Sequence, residues 1–163
     1  KQESMEKQVE RVYLLLGTNQ GNKARNLSIA ISLLVTEMAP YLFSEIFESS
    51  VLESEPWGFE SQESFLNQAI AFDTTLSAEQ VLSVCQYVED RLGRNRNLPL
   101  YNDAGERIYH DRVIDIDILL YGTQHINLPH LVVPHPRLHE REFALKPLRE
   151  LISQATLDEI LAE

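Results

Sequence analysis

The chain has 163 residues, 44% of them hydrophobic, with 25 acidic against 14 basic side chains and a formal net charge of −11. That length supports one hydrophobic core and is too short for two ordinary domains, and the acidic balance excludes the extended basic surface of a bulk nucleic-acid binder. Short apolar runs and a polar start, Lys1 to Glu10, carry neither a membrane span nor a signal-peptide core, and the lone Cys85 forms no disulfide framework.

A cytoplasmic protein is expected, with a polar extension over 1–10 and a single domain over 11–163. Arg11 to Leu16 reads as an apolar strand ended by Gly17. Gly17-Thr18-Asn19-Gln20-Gly21-Asn22 follows as a tight turn. A glycine loop between strand and helix invites a phosphate-loop reading, but the Gly-Lys-Ser/Thr ending is missing. Lys23 to Met38, with Leu27, Ile31, Leu34 and Val35 at helical spacing, reads as an amphipathic helix stopped near Pro40. Leu42 to Leu52 alternates as a second strand, a Pro/Gly loop with Trp57 and Phe59 follows, and Phe65 to Leu76 is a third strand. Ser77 and Gln80 have the spacing of a capping box. The helix they open runs to about Leu92, with Val81, Leu82, Cys85 and Val88 inward and Gly93 as its stop.

Arg94 to Asp111 is an eighteen-residue stretch without periodicity, and connections of that length inside a compact domain are usually lids or binding loops. Charge is distributed unevenly around it. Asn26 to Asp90 holds eleven acidic residues and no Lys or Arg, whereas Arg91, Arg94, Arg96, Arg107 and Arg112 fall within 22 residues. A local arginine cluster on an acidic body suits a small polyanion.

Asp111 to Gly122 reads as the last long strand. Period-two alternation sends Val113, Asp115, Asp117, Leu119 and Tyr121 to one face and Ile114, Ile116 and Ile118 to the other. Carboxylates at i and i+2 of a strand stand about 6.6 Å apart and point the same way. A solvated strand face is the competing explanation, but this face also carries Val113, Leu119 and Tyr121, and Asp is depleted from strand interiors. Two ionised carboxylates in a partly covered place repel unless a cation compensates them, and Mg²⁺ suits a site of a few carboxylates plus phosphate oxygens. A short Gln124 to Ile126 segment, Leu131 to Val133 ending at Pro134, and helical stretches over Arg137 to Glu150 and Leu157 to Ala162 complete the chain. His135 and His139 have the i, i+4 spacing of helical Zn²⁺ ligands, but Pro136 opposes a regular helix through His135.

The order strand, helix, strand, strand, helix, strand is the βαββαβ arrangement of a ferredoxin-like α+β domain, an antiparallel sheet with helices on one face, here with C-terminal helical additions. Five motifs occur along it in order: Gly17-Thr18-Asn19; Phe65-Leu66-Asn67-Gln68-Ala69; Glu89 followed by Gly93-Arg94 and Arg96; Asp111-Arg112 with Ile114-Asp115-Ile116-Asp117-Ile118-Leu119; and Val133-Pro134-His135-Pro136 with Arg141 and Phe143. Together, over Val12 to Ile152, they resemble the 6-hydroxymethyl-7,8-dihydropterin pyrophosphokinase family of folate biosynthesis.

The resemblance implies transfer of the β,γ-diphosphate of ATP to the hydroxymethyl group of the reduced pterin, with AMP released. It implies that Asp115 and Asp117 hold two Mg²⁺ ions, that Arg94 and Arg112 act in catalysis, and that Gln86, Glu89, Arg94, Arg96, Arg112, Ile118, His135 and Arg141 meet the nucleotide. Phe65 and Phe143 match the aromatic pair that stacks the pterin, Asn67 the residue that reads its amide-like edge, and Ser54, Glu55 and Trp57 the loop that completes that edge. Some positions depart from the family's common pattern. The segment Arg107-Ile108-Tyr109-His110-Asp111-Arg112 is longer than usual, with Tyr109 in place of a Trp, and His130 and Pro136 replace an Arg and an aromatic. The expected partners are ATP and the pterin, without nucleic acid or membrane, in a monomer or weak homodimer. Two-metal nucleotidyl enzymes and a non-catalytic binding module of the same fold are the other classes considered. The former has no use for the Phe65, Asn67 and Phe143 constellation, and the latter none for both Asp115 and Asp117.

Overall fold

A computed structural model describes residues 8–55, 64–93, 103–104 and 113–162. Trp57, Arg94, Arg96, Arg107, Tyr109, Arg112, residues 1–7 of the polar extension and most of the connection from Arg94 to Asp111 lie outside the described residues.

β1 (Glu10–Thr18) runs down the middle of the sheet, antiparallel to β4 (Phe65–Thr74) on one side and to β5 (Asp115–Tyr121) on the other. Val12 to Thr18 are all buried, which is why this strand reads as a continuous apolar run instead of an alternation. The strand does not stop at Gly17, as the turn reading expects. It continues through Gly17 to Thr18, with Gly17 opposite Asn67 and Asp115.

The second predicted strand, Leu42 to Leu52, is broken in the structure into β2 (Phe47–Glu48) and β3 (Leu52–Ser54), which pair with successive parts of β4. Serine hydroxyls cause the interruption. The Ser49 N–H donates to the Ala69 carbonyl at 2.9 Å while its own Oγ accepts from the Ala69 N–H at 2.9 Å, and Ser44 Oγ accepts from the Asp73 N–H at 2.8 Å. Side-chain oxygens thereby take places that carbonyls of a regular ladder would hold, and the register slips between β2 and β3. With β2 and β3 counted as one interrupted strand, the connectivity is βαββαβ.

α1 (Lys23–Met38) and α2 (Ala78–Arg91) supply the two crossover helices. Asn22 caps α1 by accepting from the Arg25 N–H, and the Ser77–Gln80 capping box opens α2, with the Gln80 N–H to Ser77 Oγ at 3.1 Å and the Ser77 N–H to Gln80 Oε1 at 2.9 Å. Leu27, Leu34, Met38, Val81, Cys85 and Val88 bury themselves against Val12, Leu14, Leu16, Ile70 and Phe72 on one face of the sheet. β6 (Ile126–Leu128) and β7 (Leu131–Val133) form a separate hairpin.

The C-terminal additions cover the opposite face. The predicted helix over Arg137 to Glu150 is a 3-10 turn at Leu138–Glu140 followed by α3 (Glu142–Leu148), because Arg141 adopts a non-helical backbone, φ −113° and ψ 89°. α3 and α4 (Gln154–Ala162) pack Leu145, Leu148, Leu157 and Ile160 over Tyr13, Leu15 and Leu119. Among the described residues no helix is long and apolar enough to cross a membrane.

β5 also departs from simple alternation. Leu14 faces Ile118 but Tyr13 faces Leu120, so Leu119 is an extra, bulged residue. The bulge reverses the strand's faces beyond it. Asp115 and Asp117 share a face with Leu119, but Tyr121 joins Ile114, Ile116 and Ile118 in the α1/α2 core, where its hydroxyl donates to the Leu76 carbonyl at 2.5 Å. The predicted placement of Tyr121 beside the aspartates is therefore corrected.

Candidate active site

The sheet face under α3 and α4 is covered at one end only. At the other end the cross-strand neighbours, Leu15 apart, are small or polar: Asn67 on β4, Gly17 on β1 and Asp115 on β5 lie in one row, with Ala69, Leu15 and Asp117 in the next. This open end is the floor of a cleft lined by Leu15, Gly17, Ser54, Glu55, Phe65, Asn67, Asp115, Asp117, Arg141 and Phe143. Eight of these ten are residues to which the family resemblance gives a site role, so positions 54 to 143 converge on one place.

Each wall has its own support. Thr18, fully buried at the end of β1, donates from Oγ1 to the Val113 carbonyl at 2.5 Å and ties the entry of β5 to the centre of the sheet. Asn26 of α1 in turn donates to Thr18 Oγ1 at 3.2 Å and to the Gln20 carbonyl at 2.8 Å. The bulge at Leu119 serves the opposite wall, since its carbonyl accepts from the His135 N–H at 3.0 Å and anchors the segment leading to Arg141. The Arg141 carbonyl receives the first N–H groups of α3, from Ala144 at 3.0 Å and Leu145 at 2.9 Å, which fixes Arg141 and Phe143 at the cleft edge. The Arg141 guanidinium carbon lies 5.6 Å from the Phe143 ring centroid.

Asn67 is 3% exposed and its Nδ2 donates to Ser54 Oγ at 2.6 Å, so one amide proton is engaged within the protein. The remaining proton and Oδ1 are what Asn67 has to offer a ligand. Gly17 makes room for that oxygen. A Cβ at Gly17 would stand 3.0 Å from Asn67 Oδ1, and the backbone there has no left-handed φ, so the glycine serves clearance and not a turn. Nothing in the sequence but the glycine itself points to this.

Not every expected residue lines the cleft. Gln86 is exposed on α2, and Ile118 is 5% exposed with its side chain in the α1/α2 core. Glu89 is turned toward β5 and 7% exposed, its Oε2 accepting from the Ile116 N–H at 2.8 Å. His135 lies on the segment behind Arg141. Burial and the neighbouring Arg141 and Arg137 guanidiniums push its imidazole down to about 4, so it is neutral at pH 7. Burial also pulls Arg141 below the usual arginine value, against the Asp117 carboxylate, yet a guanidinium stays charged. Burial, then the Glu89 and Asp117 carboxylates, push the Cys85 thiol far above its ordinary value, which leaves a small buried hydrophobe.

The donor set on the cleft floor is two carboxylates. Among the described residues no group of three or more His, Cys, Asp or Glu side chains could hold a metal by itself. Two hard oxygen donors opening onto a cleft fit Mg²⁺, which takes one or two carboxylates and completes its shell with substrate phosphates and water. They do not make a closed structural zinc site.

Comparison with known proteins identifies the family. Residues 13–153 match the model of the 7,8-dihydro-6-hydroxymethylpterin-pyrophosphokinase family. The chain is 38% identical over 141 residues to the 2-amino-4-hydroxy-6-hydroxymethyldihydropteridine pyrophosphokinase of Porphyromonas gingivalis, covering 86% of this chain and 89% of the relative. It is 35% identical over 151 residues to the Bacillus subtilis protein of the same name, covering 93% and 83%. In structure it resembles HPPK-DHPS in complex with substrates, with a TM-score of 0.63 at 13% identity over 87% of this chain, and wild-type Plasmodium falciparum HPPK-DHPS with pteroate, with a TM-score of 0.62 at 15% identity over 88%. The chain spans 40% and 39% of the length of those two structures, and the likeness shows the shared fold. The chain belongs to the hydroxymethyldihydropterin pyrophosphokinase family, whose members are diphosphokinases that carry out pyrophosphoryl transfer to hydroxymethyldihydropterin in folate biosynthesis.

Proposed function

We propose that the cleft is divided into a pterin half and a phosphate half, and that Asp115 and Asp117 hold two Mg²⁺ ions on ATP in the second. The convergence of Phe65, Asn67 and Phe143 with that aspartate pair in one cleft carries the reading. In the pterin half, Phe65 and Phe143 stack the flat ring system. Asn67 reads its amide-like edge through Oδ1 and its remaining proton, and Ser54 and Glu55, with Trp57, close that edge.

In the phosphate half, Arg141 binds phosphate oxygens, as do Arg94, Arg96 and Arg112, which lie outside the described residues. The bound Mg²⁺ ions would neutralise triphosphate charge and orient it. Neutral His135 offers the nucleotide a hydrogen-bonding nitrogen. Ile118 serves through its main chain at the edge of β5 away from β1, and Gln86 through its exposed amide. The pterin hydroxymethyl oxygen bonds to the β-phosphorus and releases its proton to water, the bond from that phosphorus to the α,β-bridging oxygen breaks, and AMP leaves.

Phosphorus NMR of a mixture of the protein, Mg²⁺, ATP and 6-hydroxymethyl-7,8-dihydropterin tests the reaction. Equal amounts of AMP and a pterin diphosphate are expected. ADP as the product, or turnover that does not depend on the pterin, contradicts the reading.

A further inference from the structure

Glu89 is a buried carboxylate that the cleft does not use. It sits in the last turns of α2, and its Oε2 accepts a hydrogen bond from a main-chain N–H of β5. β5 pairs with β1 through one edge only, so the Ile116 N–H that meets Glu89 lies on the edge away from β1. Ile116 is the residue between Asp115 and Asp117. Fixing its amide fixes the rotation of the peptide that joins it to Asp115, and with it the directions in which the two aspartate side chains leave the strand. An apolar side chain fills a helix-face core position without needing hydrogen bonds, whereas a buried carboxylate is held there by the bonds it accepts. The Cys85 thiol feels the charges of both Glu89 and Asp117.

Resting on the reading of Asp115 and Asp117 as the Mg²⁺-holding pair, we propose that Glu89 is a positioning residue for that pair: it clamps the Ile116 amide and so sets the spacing and aim of the two aspartates, without itself touching the ion.

Calorimetric binding of α,β-methylene-ATP at a series of Mg²⁺ concentrations tests this without turnover, in the wild type, Glu89→Ala, Glu89→Gln and Asp115→Ala. Glu89→Ala should need about tenfold more Mg²⁺ for the same affinity, the usual scale for losing support behind a ligand, while pterin affinity stays unchanged. Glu89→Gln keeps an acceptor oxygen and should stay much closer to the wild type. A Glu89→Ala curve that overlays the wild type while Asp115→Ala is shifted overturns the proposal and leaves the metal reading standing. If Asp115→Ala overlays the wild type too, both fall. Glu89→Gln as weak as Glu89→Ala would assign the effect to charge, and that also overturns it. If Glu89→Ala does not fold, the wild type decides by hydrogen exchange. The Ile116 amide should exchange slowly despite lying on the outer edge of a sheet, and exchange at the rate of an open edge amide contradicts the proposal.

Discussion

Asn67 and Gly17 show how far one residue's chemistry depends on its neighbour's size. Asn67 Nδ2 is held by Ser54, and its Oδ1 fits only because Gly17 carries no side chain. Gly17→Ala should therefore leave the fold intact, since the backbone there is ordinary strand, but displace the amide oxygen. Loss of one substrate hydrogen bond at about 1 kcal/mol corresponds to a rise in pterin KM of roughly five- to tenfold with kcat little changed. Steady-state kinetics check this, and an unaltered KM would separate Asn67 from pterin recognition. That Asp115 and Asp117 share a face was legible from spacing alone, because alternation on a strand is a sequence property. Gly17 was not. A glycine needed for clearance and a glycine needed for a turn look alike until the opposing side chain is known.

At the level of elements, local signals were legible and long-range ones were not. The Ser77–Gln80 box lies within four residues, and it forms as expected. Ser77→Ala should cost about 1 kcal/mol of stability, seen as a lower urea midpoint at unchanged slope, because the Gln80 N–H loses the Ser77 hydroxyl that accepts it. The bulge at Leu119 escaped alternation because it depends on how β5 meets β1. Its trace in the sequence is the doublet Leu119-Leu120, both residues facing the α3/α4 side. That one-residue slip moved Tyr121 to the other face and placed the Leu119 carbonyl under His135. The interruption between β2 and β3 likewise rests on Ser49 meeting Ala69 of β4, twenty residues away.

Across the whole molecule, the two layers of helices explain why the site lies where it does. α1 and α2 bury one face of the sheet, α3 and α4 bury part of the other, and the uncovered remainder is the cleft floor. The βαββαβ order was legible because it follows from element type and sequence alone. The covering of the second face by the C-terminal helices was not, because amphipathic stripes do not say which partner they meet. Burial of His135 behind this site makes stability depend on pH. The unfolded chain takes up a proton near the ordinary histidine value of 6.5, the native chain only near about 4. Stability should therefore fall as pH drops through that window, and His135→Asn should flatten the fall in denaturation curves taken from pH 7 to pH 4. An unchanged slope would mean that His135 is solvated.

The division of the cleft is the central claim, and paired measurements on Asp115→Ala and Asp117→Ala test it most directly. Turnover of ATP and pterin is followed together with pterin affinity by equilibrium titration. The account predicts that either substitution removes turnover while pterin affinity and the thermal midpoint stay close to those of the wild type. Near-normal turnover in both variants, or loss of pterin binding in step with turnover, would contradict it.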